Sequence, residues 1–138
     1  MIQEPLPHTN LSHYRIVSKI GAGGMGDVYL AEDERLRRKI ALKVLPDALA
    51  QDTDRLRRFE QEAFAASALN HPNILTIHEF GTEGATHFLA SEFIDGETLR
   101  DRLRRAPLSL GETLDITLQT AQALAAAHEA RKIGRAHV

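Results

Sequence analysis

Gly21-Ala22-Gly23-Gly24-Met25-Gly26, followed by Asp27-Val28-Tyr29-Leu30-Ala31, is the stretch that decides the fold. Its spacing is Gly-x-Gly-x-x-Gly, and three readings compete for it. The plainest is a flexible hairpin turn. The second is a dinucleotide-binding turn, which requires a helix directly after the last glycine and an acid about 20 residues on. Neither requirement is met: Val28 and Tyr29 favour a strand, and Lys43 stands where the acid belongs. The third is a phosphate flap at the tip of a strand–turn–strand. Glycines there let backbone N–H groups approach phosphate oxygens with no Cβ in the way. Upstream, Tyr14, Ile16, Ser18 and Ile20 alternate with Arg15, Val17 and Lys19, which is the period of a strand. Val28, just past the loop, would pack on an adenine face.

The phosphate reading demands a cation on the next strand, and Lys39-Ile40-Ala41-Leu42-Lys43-Val44-Leu45 supplies one before Pro46 ends it. Ala41 and Lys43 are two apart, so they share a face. Ala41 leaves room for a flat base, and Lys43 can reach phosphate oxygens. A lone strand lysine is more often exposed on an edge. The apolar neighbours Ile40, Leu42, Val44 and Leu45 argue for burial, and a buried ammonium needs an anion. Glu62 is the candidate partner on a helix expected over 53–69, near an inward stripe of Leu56, Phe59, Ala63 and Ala66. Glu60 is expected to turn further toward solvent. Most helix glutamates are plain surface acids, so the ion pair rests on the loop and Lys43 occurring with it.

Working outward, Asp52 is placed to cap that helix and Asn70-His71-Pro72-Asn73 to stop it. Strands are expected over 74–80 and 87–94, joined around Gly81 and Gly84. A short basic helix is expected over 97–105. A last helix opens at Ser109, with Glu112 completing a capping box and Leu114, Leu118, Ala121 and Ala125 as its stripe. Three strands, a helix, two strands and then helices, with tight hairpins, make an α+β fold with an antiparallel sheet.

Composition narrows the function. The chain has 138 residues, a hydrophobic fraction of 43% and a net charge of -2, so it suits a globular domain and shows no basic bias toward nucleic acid. It has no cysteine, which excludes disulfides and thiolate metal sites and fits a reducing compartment. Its seven histidines, at 8, 13, 71, 78, 87, 128 and 137, show no helical metal spacing, so no metal site is expected. No apolar run is long enough for a membrane span, and the polar start is not a signal peptide.

These motifs in this order resemble the N-terminal lobe and the start of the C-terminal lobe of a bacterial eukaryotic-like Ser/Thr protein kinase. The resemblance rests on Ile20 to Val28, on Ile40-Ala41-Leu42-Lys43 and on Phe59-Glu60-Gln61-Glu62-Ala63. It extends to Leu69-Asn70-His71-Pro72-Asn73-Ile74 and to the hinge-like Ser91-Glu92-Phe93-Ile94-Asp95-Gly96-Glu97-Thr98-Leu99. It covers about Tyr14 to Arg131. It implies a five-stranded antiparallel sheet with one regulatory helix, and ATP as cofactor, held by Ile20, Gly21, Ala22, Gly23, Gly24, Met25, Gly26, Val28, Ala41 and Lys43. It implies Glu62 as the partner of Lys43, and Ile20, Val28 and Ala41 as the roof of the base. The Glu92 carbonyl and the Ile94 amide and carbonyl would read the adenine edge. Ser91 falls at the gatekeeper position, where a small residue would open a back pocket, and Glu97 near the ribose. The implied activity is transfer of the γ-phosphate of ATP to protein hydroxyls, in the cytoplasm.

The family's His-Arg-Asp and Asp-Phe-Gly segments, which carry the catalytic aspartate and the Mg2+ ligands, do not occur in the sequence. The chain by itself is therefore expected to be inactive. The alternative is a non-catalytic, pseudokinase-like nucleotide-binding or scaffold module. The expected division is a leader over 1–12, the N-lobe over 13–94, the hinge exit and first C-lobe helices over 95–131, and a tail over 132–138. That tail, Lys132-Ile133-Gly134-Arg135-Ala136-His137-Val138, reverse-translates to a common sequencing adaptor and is expected to be foreign, with the Mg2+ ligands and any membrane anchor in a segment beyond it.

Overall fold

The structure, a computed structural model, describes residues 9–23 and 26–136, with residues 23 and 131–136 described by backbone alone. The elements in chain order are β1 (Asn10–Leu11), β2 (Tyr14–Gly23), β3 (Gly26–Asp33), β4 (Arg38–Val44), α1 (Asp47–Gln51), α2 (Thr53–Ser67), β5 (Ile77–Glu83), β6 (Thr86–Glu92), α3 (Leu99–Arg105) and α4 (Leu110–Ala136). They form two compact units. One runs to Ala68 and includes Thr76–Phe93; the other holds Leu69–Leu75 and everything from Ile94.

The first unit is built on one antiparallel sheet in the order β1-β2-β3-β4-β6-β5. Six strands stand where five were expected. The extra strand is β1, too short to show alternation in sequence; Asn10 pairs with Arg15 and Leu11 with Tyr14. The leader therefore ends in the sheet, and residues 1–8 lie outside the described residues. The period-two alternation sets one face of the sheet as the core: Tyr14, Ile16, Tyr29, Ala31, Ile40, Leu42, Phe88 and Ala90 are all buried. At one edge of this face the Tyr14 hydroxyl donates to Glu79 Oε1 at 2.7 Å. Burial, and that carboxylate, hold the phenol well above its usual ionisation range.

Asp52 caps α2 as expected, its Oδ1 accepting from the Arg55 N–H at 3.2 Å. The expected stripe also holds, with Ala63 buried and Leu56, Phe59 and Ala66 half-buried. In the second unit, Ser109 and Glu112 form the reciprocal capping box: the Glu112 N–H donates to Ser109 Oγ at 3.1 Å and the Ser109 N–H to Glu112 Oε1 at 3.3 Å. Arg102 Nη2 donates to the other Glu112 oxygen at 2.9 Å, locking α3 to the start of α4. These bonds hold the Glu112 carboxyl below the usual carboxylate range, led by the backbone bond from Ser109. Leu110, Leu114, Leu118 and Leu124 of α4 are exposed. Of the expected foreign tail, the backbone of residues 132–136 continues α4, and residues 137–138 lie outside the described residues. No helix among the described residues is long and apolar enough to cross a membrane.

Gly81 in β5 faces Phe88 across the pair with β6. A Cβ there would lie 2.5 Å from the Phe88 ring, and that ring is 1% exposed and cannot swing away. Gly81→Ala should therefore cost about 1–3 kcal/mol through overpacking, measured as a lower urea midpoint at unchanged slope.

Candidate functional site

The register of β4 assembles the site. Val28 pairs with Lys43, and Lys43 with Leu89. One step along, Leu30 pairs with Ala41 and Ala41 with Ser91. Directly paired residues share a face, so Val28, Leu30, Ala41, Lys43, Leu89 and Ser91 lie together on the face opposite the core. Gly21 pairs with Val28 and joins them; a Cβ on it would lie 3.8 Å from Val28 Cβ. The small residues Gly21, Ala41 and Ser91 leave this face shallow between apolar neighbours. Lys43 is half-buried on it.

The glycine hairpin is shaped by two register shifts in β2, between Ile16 and Ser18 and between Lys19 and Gly21. Ile20 is the extra residue at the second shift and is 47% exposed. Gly26 has φ 118°, and a Cβ there would run into the Val44 carbonyl oxygen. Only glycine satisfies both constraints. Ala22 and Gly23 pair with Asp27 and Gly26, while Gly24 and Met25 lie outside the described residues.

The expected Lys43–Glu62 ion pair is not formed. The ion pairs described in this unit join His13 to Asp33 and Glu79, Arg15 to Glu32, and Lys19 to Asp27, and neither Lys43 nor Glu62 has a charged partner among the described residues. Glu62 is exposed. The reason is the rotation of α2. Phe59 packs on Phe80 with ring centroids 5.8 Å apart, and Ala63 is the residue turned fully inward. Glu62, one position and about 100° from Ala63, is left in solvent. Glu60 is exposed, as expected, and borders a groove of about 450 Å³ between α2 and β5, with Ala63, Phe64 and Phe80. Phe80 pairs with Leu89, so α2 packs on the same sheet face that carries Lys43.

Ser91 is 8% exposed, and its hydroxyl donates to the Glu92 carbonyl at 3.4 Å. Glu92 grips Thr76 twice: its N–H donates to the Thr76 carbonyl at 2.9 Å, and its Oε1 accepts the Thr76 N–H at 2.8 Å. In the second unit, Ile94 is 62% exposed with no backbone hydrogen bond to the described chain. Glu97 there accepts from Arg105 Nη2 at 2.5 Å, a partner that the sequence reading did not foresee. No group of three His, Asp or Glu among the described residues is arranged to hold a metal ion.

The groove between α2 and β5 was also missed, because nothing in a helix or strand pattern shows a gap between them. One of its residues titrates unusually. Burial first, and then the Arg38 guanidinium, push the His78 imidazole below its ordinary value, against the weaker pull of Glu92 and Asp33. The unfolded chain then binds a proton more readily than the folded one. Folded stability is full above the unfolded value of about 6.5 and is lost as pH falls toward the lowered folded value. Urea unfolding from pH 8 to pH 5 should show this loss, and His78→Gln should flatten that part of the profile.

Residues 14–135 match the family described as protein kinase domain. The chain is 41% identical over 123 residues to the serine/threonine-protein kinase PrkC of Bacillus subtilis, covering 88% of this chain and 19% of PrkC. It is 41% identical over 128 residues to PknA of Mycobacterium tuberculosis, covering 88% of this chain and 30% of PknA. Among solved structures, the kinase domain of Mycobacterium tuberculosis PknI superposes with a TM-score of 0.82 at 32% identity, over 91% of this chain and 51% of that domain. The chain thus spans under a third of these curated relatives and about half of the solved kinase domain.

Proposed function

The chain belongs to the protein kinase domain family, and on that premise we propose that it is the ATP-binding part of a Ser/Thr protein kinase. The single observation that carries this reading is the shared sheet face of Gly21, Val28, Ala41, Lys43 and Ser91 beside the glycine hairpin. A flat base fits a shallow apolar strip, and a phosphate chain fits backbone N–H groups with a cation alongside. On this face Val28 and Ala41 hold the base, the small Ser91 leaves space behind it, and Lys43 holds phosphate oxygens. ATP, when bound, supplies the γ-phosphoryl group that is transferred to a protein hydroxyl.

Lys43 acts by charge and position. Half-buried and without a carboxylate partner among the described residues, it presents its ammonium to an incoming anion. Glu62 is proposed to join it only after α2 turns about its Phe59–Phe80 contact, which would restrain the ammonium and hold the phosphates in line. The roles of Ile94 on the adenine edge and Glu97 at the ribose rest on the resemblance alone. Mg2+ would neutralise phosphate charge, and its ligands are expected outside the residues given. The chain alone is therefore proposed to bind nucleotide without transferring phosphate, with a protein substrate as the partner of the whole kinase.

Titration of the chain with MgATP should give weak saturable binding, and Lys43→Met should weaken it by on the order of tenfold, the loss of one charge-assisted phosphate contact. Equal affinity in the two proteins would overturn the assignment of this face. Phosphate transfer by the purified chain would overturn the claim that it is inactive alone.

A further inference from the structure

The far end of the glycine hairpin is weakly attached to the sheet that supports it. From Tyr14 to Ile16, β2 pairs with β3 in one register; Ser18 and Lys19 pair in a second, and Gly21 to Gly23 in a third. Each shift inserts one extra residue into β2, and each interrupts the ladder and allows the strands to twist. Beyond the second shift the β2 stem is Gly21-Ala22-Gly23, which has almost no side chain to pack. On the β3 side, Gly26 is pressed against Val44, and Asp27 pairs with Val44.

One ion pair crosses this weak point. Lys19 Nζ lies 3.5 Å from Asp27 Oδ1. Lys19 lies before the second shift, opposite Tyr29, while Asp27 lies beyond it, opposite Ala22. Lys19, Asp27 and Tyr29 share the core side of the sheet, away from Val28, Ala41 and Lys43. The pair therefore ties the tip to the stem without occupying the face assigned to nucleotide.

We propose that Lys19 and Asp27 are positioning residues: their cross-strand pair bridges the second bulge and sets the pitch of the glycine stems over the phosphate face. This rests on the nucleotide reading above and extends it to two residues that touch no nucleotide. Both side chains are about one third exposed, so the pair is worth a small factor in population rather than a large one.

The experiment is a charge-swap cycle on the 138-residue chain: Lys19→Glu, Asp27→Lys, the double swap, and the neutral pair Lys19→Met and Asp27→Asn. Amide exchange at Gly21, Ala22 and Val28, without nucleotide, reads the brace itself. Exchange should rise about two- to fivefold in each single variant and return to the wild-type rate in the swap. MgATP affinity should fall by about two- to fivefold in the single reversals, in step with exchange, and recover to the wild-type value in the swap. Unchanged exchange in the single variants overturns the proposal, as does a swap that fails to restore exchange. Altered exchange with unaltered MgATP affinity overturns the positioning role. If the wild-type chain binds no MgATP, the nucleotide reading fails, and the exchange arm still decides whether the brace exists.

Discussion

The pairing of β4 between β3 and β6 is the constraint on which the rest of the first unit depends. Side chains on a strand alternate, so a single register decides two faces at once. Ile40 and Leu42 enter the core with Tyr29, Ala31, Phe88 and Ala90. Ala41 and Lys43 are then obliged to face the other way, beside Val28, Leu89 and Ser91. A slip of one residue would bury Lys43 in an apolar core and expose Ile40 and Leu42 together. The hydrophobic penalty that forbids this slip is the force that delivers Lys43 to the candidate site.

Helix α2 shows a different balance. It is held by local signals at its start, where Asp52 caps it, and by an aromatic contact near its middle, where Phe59 meets Phe80. Neither fixes its rotation tightly, because only Ala63 is fully buried and Phe64 is 79% exposed. A small inward residue gives a helix little purchase on a sheet. With Phe59 on Phe80 and Ala63 turned inward, Glu62 lies in solvent, unpaired with Lys43, and a groove borders Glu60.

Polar anchors of another kind shape the ends of elements. Glu92 holds Thr76 through both its backbone and its carboxylate, which brings the start of β5 beside the end of β6. Asp33, 3% exposed, is satisfied by the Arg35 and Leu36 N–H groups of the turn after β3. In the second unit, Glu112 serves the Ser109 cap and Arg102 together. Of the three carboxylates only Asp33 is buried, and there the two turn N–H groups stand in for water; Glu112 is exposed and acts as a cap.

Much of this was legible in the amino-acid order alone. Alternation gave away β2, and the caps at Asp52 and Ser109 marked two helix starts, because these depend on neighbours within a few residues; the strand expected over 74–80 instead runs from Ile77 to Glu83, with Gly81 inside it and not in the turn. The glycine spacing with Lys43 two positions after Ala41 was enough to choose one chemistry over two others. β1 escaped notice because two residues cannot show a period, and the bulges escaped because an inserted residue looks like any other until its partner strand is known. The distance between Lys43 and Glu62 was not legible for a related reason: a helical wheel orders residues around an axis but leaves the rotation of that axis against the sheet unspecified. Sequence by itself determined which residues can share a strand face, since that follows from backbone geometry. Tertiary structure alone decided how α2 is rotated, where β2 bulges, and which charges meet across strands, since these are set by packing between segments far apart in the chain.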